Sequence, residues 1–182
     1  LNELSKQGLL QHQSTPYVGY RLTAAGYDCL AMNALVKADV LQAFGTPLGI
    51  GKESDVYDAL MPDNTRVAVK FHRLGRTSFR QTKRKRGYMA KQAYTPTWLY
   101  QSRLAAKREF EALSTLYPKG VSVPKPIWQN RHVIVMSIIE GAELYYLEIP
   151  DPRKVLDEIL LNIRKTYRDA GIIHADLSPY NI

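Results

Sequence analysis

Three features are scarce in this 182-residue sequence, and each scarcity excludes a class of protein. The single cysteine, Cys29, allows no internal disulfide and no cysteine-rich metal site. The longest apolar run, at residues 133–139, is too short to cross a bilayer, and no basic-then-apolar secretory pattern opens the chain. We therefore expect a globular cytoplasmic protein in which Cys29 is a small core residue of an apolar helix.

Acidic residues are absent from one long segment. No Asp or Glu occurs between Asp63 and Glu109, whereas this segment holds 13 of the 25 Lys and Arg residues. Such a block repels itself and attracts polyanions, so it is a candidate nucleic-acid contact, with a solvated loop as the alternative. The candidate RNA contacts in the loop at residues 73–96 are Arg73, Arg76, Arg80, Lys83, Arg84, Lys85, Arg86 and Lys91.

Apolar patterns and turn signals divide the chain into three parts. Residues 1–45 are typical of the end of a winged helix domain: a helix end, a strand pair at about 9–22, and a helix that is capped by Thr23 and ends near Phe44. Residues 46–139 contain the basic loop. Around that loop we expect strands at about 47–51, 54–61, 65–72, 126–129 and 131–138, and a helix at about 97–117.

The third part, residues 140–182, contains a helix that begins at Asp151-Pro152 and continues to about Asp169. Asp is a good helix cap and Pro suits the first helical position. Because strands come first and helices follow, the chain is predicted to be an α+β protein with an antiparallel sheet.

A glycine pair lies between the first two strands of the second part. Glycines let the backbone turn tightly and direct its N–H groups at an anion such as phosphate. This segment is not a Walker loop, because no Gly-Lys-Ser/Thr run opens a helix, and a plain two-glycine hairpin is the alternative. The candidate nucleotide contacts here are Gly49, Gly51, Lys52, Glu53 and Ser54.

Lys70 lies in an alternating strand about twenty residues after the glycines. A protein kinase places at this point the lysine that holds the α- and β-phosphates, whereas a strand-end lysine that reaches solvent is the alternative. A lysine in an apolar strand needs a charged partner. Glu109 and Glu111 are the candidates on the next helix, and they point about 200° apart. We favour Glu109, with a solvent-facing charge as the alternative.

The last residues of the sequence form a pattern typical of catalytic loops. His174 precedes Asp176 by two residues and Asn181 follows Asp176 by five, directly after an apolar pair. In a kinase catalytic loop the Asp meets the incoming hydroxyl and the Asn coordinates a metal. Such a match alone occurs by chance, but here it follows a glycine loop, a strand lysine and a helix glutamate in the order of a kinase.

Together these segments resemble the RIO family of atypical protein kinases, in particular its second subfamily. The segments that carry the resemblance are GIGKESDVYDA, VAVKFHRLGRTSFRQTKRKRGY, WLYQSRLAAKREFEAL, VPKPI, NRHVIVM and GIIHADLSPYNI, which span nearly the whole chain. The resemblance implies a winged helix followed by a bilobal kinase-like domain, with the N-lobe at 46–139 and an incomplete C-lobe at 140–182. It implies an ATP-dependent serine/threonine kinase or ATPase in small ribosomal subunit maturation.

The resemblance also implies the role of each phosphate-side residue. Lys70 would hold the phosphates of ATP, Glu109 would fix Lys70, Asp176 would be the catalytic base, and Asn181 would be a Mg²⁺ ligand. The winged helix and the basic loop would contact the ribosomal precursor. An alternative is an RNA-binding module in which ATP is only a conformational switch.

On the adenine side, the resemblance implies that backbone atoms near Ser137 and Ile139 hold the base, with Met136 lining its pocket. Two departures qualify it. Ala175 stands where many kinases have an arginine that reads a phosphorylated activation loop, so we expect no regulation by that route. The acidic metal ligand that the family carries beyond the Asn is absent from this sequence, and the first residue is Leu1, so we expect a fragment that is cut at both ends. Because the sequence has no eukaryote-style extension, we expect an archaeal protein.

Overall fold

We describe the protein from a computed structural model, which describes residues 1–14, 16–74 and 98–182. The helices are α1 (Asn2–Lys6), α2 (Ala24–Lys37), α3 (Trp98–Leu116) and α4 (Pro152–Arg168), with 3₁₀ turns at Tyr117–Lys119 and Leu144–Tyr146. The strands are β1 (Leu10–Gln13), β2 (Gly19–Leu22), β3 (Ala43–Ile50), β4 (Ser54–Leu60), β5 (Arg66–His72), β6 (Pro126–Asn130) and β7 (Val133–Ser137). The expected α+β class and antiparallel sheet are confirmed.

The N-terminal part consists of α1, the hairpin β1–β2 and α2. Helix α2 begins where the sequence predicts, because the Thr23 hydroxyl accepts a hydrogen bond from the Gly26 amide at 3.1 Å. Gly26 is required here, since a Cβ at this position would lie 2.3 Å from the carbonyl oxygen of Leu9. The predicted helix end near Phe44 is wrong: the helix stops at Lys37, and Asp39 adopts a left-handed φ of 57° that turns the chain towards β3.

A five-stranded antiparallel sheet, in the order β3-β4-β5-β7-β6, forms the centre of the fold. Successive residues of β5 point to opposite faces. Val69 and Phe71 pack on one face with Ala31 and Leu35 of α2. Ala68 faces the other side, which carries α3. The sheet is therefore covered by α2 on one face and by α3 on the other. One set of β5 side chains packs on the α2 side, and the alternate set points towards α3.

The prediction that Cys29 is a core residue is wrong, because Cys29 is exposed. It is two positions before the fully buried Ala31 on α2, so the two side chains point about 200° apart around the helix axis. The apolar character of the surrounding sequence therefore did not place this residue on the buried face.

Helix α4 has the predicted cap: the carboxylate of Asp151 accepts a hydrogen bond from the Lys154 amide at 3.2 Å, and Pro152 takes the first helical position. Among the helices that the structure describes, none is long and apolar enough to cross a membrane. The division of the chain at residues 45 and 139 stays a prediction.

Candidate active site

Lys70 and Glu109 form the central ion pair of the site. The Nζ of Lys70 lies 2.7 Å from Oε1 and 3.0 Å from Oε2 of Glu109, so β5 and α3 are joined by a two-oxygen contact. The two side chains are 23% and 31% exposed. Glu111, the other candidate, lies 3.8 Å from Lys107 on the outer side of α3. The geometry selects Glu109 as the partner of Lys70, while its role in catalysis stays a prediction.

His72, which no sequence motif marked as a site residue, also contacts Glu109. Its Nε2 lies 3.4 Å from Glu109 Oε2, and the side chain is only 7% exposed. Residues two apart on a strand share a face, so the position of Lys70 on β5 already places His72 beside the same glutamate. That alternation was the signal from which His72 could have been found.

The glycine loop, residues 49–54, closes as a tight turn between β3 and β4. The amide of Gly51 donates to the carbonyl of Ser54 at 2.8 Å, and a Cβ at Gly51 would lie 3.2 Å from that oxygen. Gly49 instead belongs to β3, and a Cβ there would meet nothing within 4 Å. The tight turn that we expected of the glycine pair therefore forms at Gly51, while Gly49 precedes it in the strand.

A cavity of about 470 Å³ lies where the glycine loop, β5, α3 and the end of the chain meet. Its lining residues are Glu53, Ser54, Lys70, His72, Leu74, Ala105, Arg108, Glu109, Ile173 and His174. Four residues predicted for the nucleotide site thus surround one cavity. Lys52, Asp176 and Asn181 are not among the lining residues, and each of these three side chains lies on an exposed part of the chain.

The segment at residues 174–182, which is predicted to be a catalytic loop, is held in shape by hydrogen bonds of its own side chains. The Asn181 amide group donates to the backbone oxygen of Asp176 at 2.7 Å, and its Oδ1 accepts from the Ser178 amide at 2.8 Å. Ala175 has a φ of 62°, an uncommon value for a residue with a side chain. The segment therefore holds Asp176 and Asn181 together through a specific bent backbone, and the Asp176 carboxylate stays exposed.

Further contacts attach this segment to the 3₁₀ turn at Leu144–Tyr146. The amides of Leu144 and Tyr145 donate to the carbonyls of Ile182 and Pro179 at 2.9 and 3.0 Å. The rings of Tyr145 and Tyr180 stack with centroids 4.3 Å apart, and the hydrogen bond with Tyr145 raises the pKa of Tyr180. These hydrogen bonds and the stacked rings hold the end of the segment against the 3₁₀ turn.

The predicted adenine contacts stay a prediction, and the structure shows which polar groups of Ser137 are already bonded within the protein. Its amide donates to the Lys125 carbonyl at 2.9 Å, and its hydroxyl accepts from the Lys125 amide at 2.9 Å. The Ser137 N–H is thus already used within the protein, which leaves its carbonyl oxygen and the backbone of Ile139 as candidates. Met136 packs against Ala68 in the core under this edge.

Arg73 does not belong to the exposed basic loop, which corrects its assignment as an RNA contact. Its side chain is 11% exposed, and its guanidinium bonds to Asp28 at 2.6 and 2.8 Å and to Asp55 at 3.0 Å. The charge is therefore neutralised inside the protein. The other predicted loop contacts, Arg76, Arg80, Lys83, Arg84, Lys85, Arg86 and Lys91, lie outside the described residues.

Burial and hydrogen bonding shift the pKa values of Asp28 and Arg73 in opposite directions. Burial alone would raise the pKa of Asp28, but hydrogen bonds from His132 and Arg73 outweigh it and lower the pKa. Burial would likewise lower the pKa of Arg73, and its bonds to Asp28 and Asp55 raise it instead. Asp28 and Arg73 therefore both stay charged at neutral pH.

Comparison with known proteins decides the family. A model of the RIO domain matches residues 55–182, and a model of the Rio2 N-terminal region matches residues 1–38. The chain belongs to the RIO family of serine/threonine-protein kinases, in its Rio2 branch. Lys70, Glu109 and the segment from His174 to Asn181 all lie within the part of the chain that matches the RIO domain.

Curated Rio2 proteins match over the whole chain. The RIO-type serine/threonine-protein kinase Rio2 of Methanocaldococcus jannaschii is 43% identical and the serine/threonine-protein kinase RIO2 of Saccharomyces cerevisiae is 36% identical, each over 100% of this chain. The chain spans 67% of the archaeal relative and 43% of the yeast relative.

A solved structure confirms the kinase-like fold. The Rio2 kinase of Chaetomium thermophilum, in a complex described as ADP/Mg²⁺-phosphoaspartate, matches with a TM-score of 0.75 and 35% identity. The match covers 89% of this chain and 48% of the Rio2 chain. Most of this chain therefore adopts the fold of a Rio2 kinase.

Proposed function

We propose that this protein is an ATP-dependent atypical serine/threonine kinase or ATPase that acts, in the cytoplasm, in small ribosomal subunit maturation. The observation that carries the proposal is the Lys70–Glu109 pair beside the cavity lined by Glu53 and Ser54, in a chain of the RIO family. The neighbouring Rio2 structure is described as an ADP complex, which supports a nucleotide as the ligand of this cavity.

Lys70 is suited to hold the phosphates of ATP. Its ammonium is fixed by two carboxylate oxygens, so its direction is set before the substrate arrives. A pre-oriented cation gains more from an anion than a freely rotating one, because less side-chain entropy is lost on binding. The Gly51 turn leads directly into Glu53 and Ser54, which line the same cavity, and the adenine would bind at the carbonyl of Ser137 and the backbone of Ile139.

Asn181 fits one position of a Mg²⁺ site. Magnesium prefers oxygen ligands, and the Asn181 Oδ1 is a neutral oxygen. The Asn181 side chain is oriented by the Ser178 amide, which donates to Oδ1, and by the Asp176 carbonyl, which accepts from its NH₂ group. Among residues 1–14, 16–74 and 98–182 no cluster of three or more His, Cys, Asp or Glu side chains could hold a metal. When bound, the ion neutralises charge on the transferring phosphate oxygens.

Asp176 would act as the base. Its carboxylate is exposed, so an incoming hydroxyl or water can reach it and lose its proton to a carboxylate oxygen. The bond from Asn181 to the Asp176 backbone keeps base and metal ligand at a constant spacing. Position 175 is an alanine, whereas many kinases have an arginine there that reads a phosphorylated activation loop. This supports a site that does not depend on activation-loop phosphorylation.

The second candidate function is an RNA-binding module in which ATP serves as a switch. The observation in its favour is the acid-free basic segment between Asp63 and Glu109, together with the Rio2 N-terminal region. RNA affinity at such a segment would arise mainly from phosphate contacts.

ATP turnover by the full-length protein separates the two functions. We expect Mg²⁺-dependent hydrolysis that small-subunit precursor RNA or particles stimulate, and we expect Asp176→Asn to abolish it while leaving ATP binding intact. Exposed Asp157 on α4 offers the matched control, and Asp157→Asn should keep full turnover. ATP binding without turnover in the unaltered protein would instead favour the switch.

A further inference from the structure

A buried cluster of charges joins α2 to the sheet on the side opposite the candidate active site. We call it the Arg73 cluster, and its members are Asp28 of α2, Asp55 of β4, Arg73 directly after β5, and His132 directly before β7. Arg73 donates two hydrogen bonds to Asp28 and one to Asp55. The Nε2 of His132 lies 2.8 Å from Asp28 Oδ1, and this nitrogen carries the proton because a carboxylate only accepts.

Burial makes the members of this cluster depend on one another. The side chains of Asp55 and His132 are 2% and 0% exposed, and Asp28 is the most exposed member at 20%. A buried charge that loses its partner cannot be compensated by water, so removing one member strongly disfavours the arrangement of the others. Helix α2 is therefore attached to the sheet by a specific ion pair in addition to its apolar contacts.

The same arginine is also bonded to the glycine loop. The backbone amide of Arg73 donates to the carbonyl of Glu53 at 2.6 Å, while its guanidinium holds Asp55 two residues further on. Ser54 lies between these two attachment points. Glu53 and Ser54 both line the candidate nucleotide cavity, so Arg73 fixes the segment that forms this wall.

Arg73 itself is not among the residues that line the cavity. Its guanidinium lies over the ring of Phe71, 5.2 Å from the centroid, on the α2 face of the sheet. Lys70 and His72, by contrast, face α3 and the cavity. The Arg73 cluster therefore reaches the cavity indirectly, through Glu53 and Ser54 of the glycine loop and through the adjacent Leu74.

We propose that Asp28 and Arg73 are positioning residues for nucleotide binding. Asp28 of α2 holds the Arg73 side chain, and Arg73 in turn holds residues 53–55 at the end of the glycine loop. This inference rests on the proposed binding of ATP. Because coupling between two sites is reciprocal, a partner that displaces α2 lowers the affinity for ATP, and bound ATP stabilises the docking of α2 on the sheet.

The test is Asp28→Asn in the full-length protein, which keeps the shape of the side chain and removes its charge. We expect the KM for ATP to rise about five- to tenfold while kcat changes less than about twofold. We also expect faster hydrogen exchange at the amides of Gly51 and Arg73, since their bonds define the loop. Arg73→Lys keeps the charge but cannot bridge both carboxylates, and it should raise KM in the same way.

Asp58→Asn is the matched control. Asp58 lies on the same strand as Asp55 and pairs at 3.1 Å with Arg66, without any partner on α2. We expect this variant to keep the KM and the exchange rates of the unaltered protein. An equal rise in KM for Asp58→Asn would overturn the inference, because the effect would then reflect any lost charge on this strand pair.

The outcomes also separate this inference from the function on which it rests. If the unaltered protein bound no ATP, the proposed function would be wrong and the inference with it. If it bound ATP but Asp28→Asn and Arg73→Lys lowered only the melting temperature, with KM and loop exchange unchanged, the cluster would be purely structural and the inference alone would fail.

Discussion

The pairing of Lys70 with Glu109 makes the most direct prediction about the active site. Lys70→Ala removes the cavity-lining cation that we assign to the phosphates of ATP. We expect kcat/KM for ATP to fall at least about 10²-fold, which corresponds to about 2.7 kcal/mol of transition-state stabilisation. Mg²⁺-dependent phosphate release by the full-length protein measures this.

The cost to folding should be smaller than the cost to activity. Exposed ion pairs contribute about 0.2–1 kcal/mol, and breaking a fully buried pair costs about 3–5 kcal/mol. With side chains 23% and 31% exposed, this pair lies between the two limits, and Glu109 keeps a contact to His72 at 3.4 Å when Lys70 is removed. We therefore expect Lys70→Ala to lower the free energy of unfolding by about 1 kcal/mol, measured by urea denaturation.

Glu109→Gln and Glu111→Gln provide the control pair. Glu109→Gln leaves Lys70 without its negative partner, so we expect at least about a tenfold loss in kcat/KM. Glu111→Gln alters only an exposed contact to Lys107 and should change activity less than about twofold. Unchanged turnover in Lys70→Ala would refute the assignment of the site, and a larger loss in Glu111→Gln than in Glu109→Gln would refute the choice of glutamate.

Three further predictions concern other parts of the chain. Replacing the four basic residues at 83–86 with Ser should lower RNA affinity and flatten its salt dependence, because fewer counterions are released; an unchanged slope of affinity against salt would mean a merely solvated segment. Gly26→Ala should lower the free energy of unfolding by about 1–3 kcal/mol, since its Cβ would meet the Leu9 carbonyl at 2.3 Å, whereas Gly49→Ala should be near neutral by the same denaturation measurement. The lowered pKa of Asp28 stabilises the fold above the ordinary aspartate pKa of 3.8, and this contribution is lost as pH falls through the lower folded value. Asp28→Asn should therefore flatten the fall of stability with acid, and an unchanged pH profile would show that Asp28 contributes nothing.

The sequence by itself determined the features that depend on local chemistry. Alternation predicted β5, with Lys70 inside it, and side-chain caps predicted the starts of α2 at Thr23 and of α4 at Asp151. The helix after the basic loop offered Glu109 and Glu111 as partners for Lys70, and helical spacing showed that the two point about 200° apart. The order of motifs was sufficient to indicate the RIO family, because each motif is short and carries its own physical constraint.

Only the tertiary structure decided the contacts between distant segments. In the sequence, nothing distinguished Arg73 from the other residues of the basic segment. Its partner Asp28 is 45 residues away on α2, and no local pattern pairs the two. The Ser137 amide is used by Lys125 from a neighbouring segment, and Asp39 ends α2 through a left-handed turn that apolar periodicity does not reveal. Burial and pairing of charges depend on which faces the packed helices cover, and that is a property of the assembled sheet with α2 and α3 on its two sides.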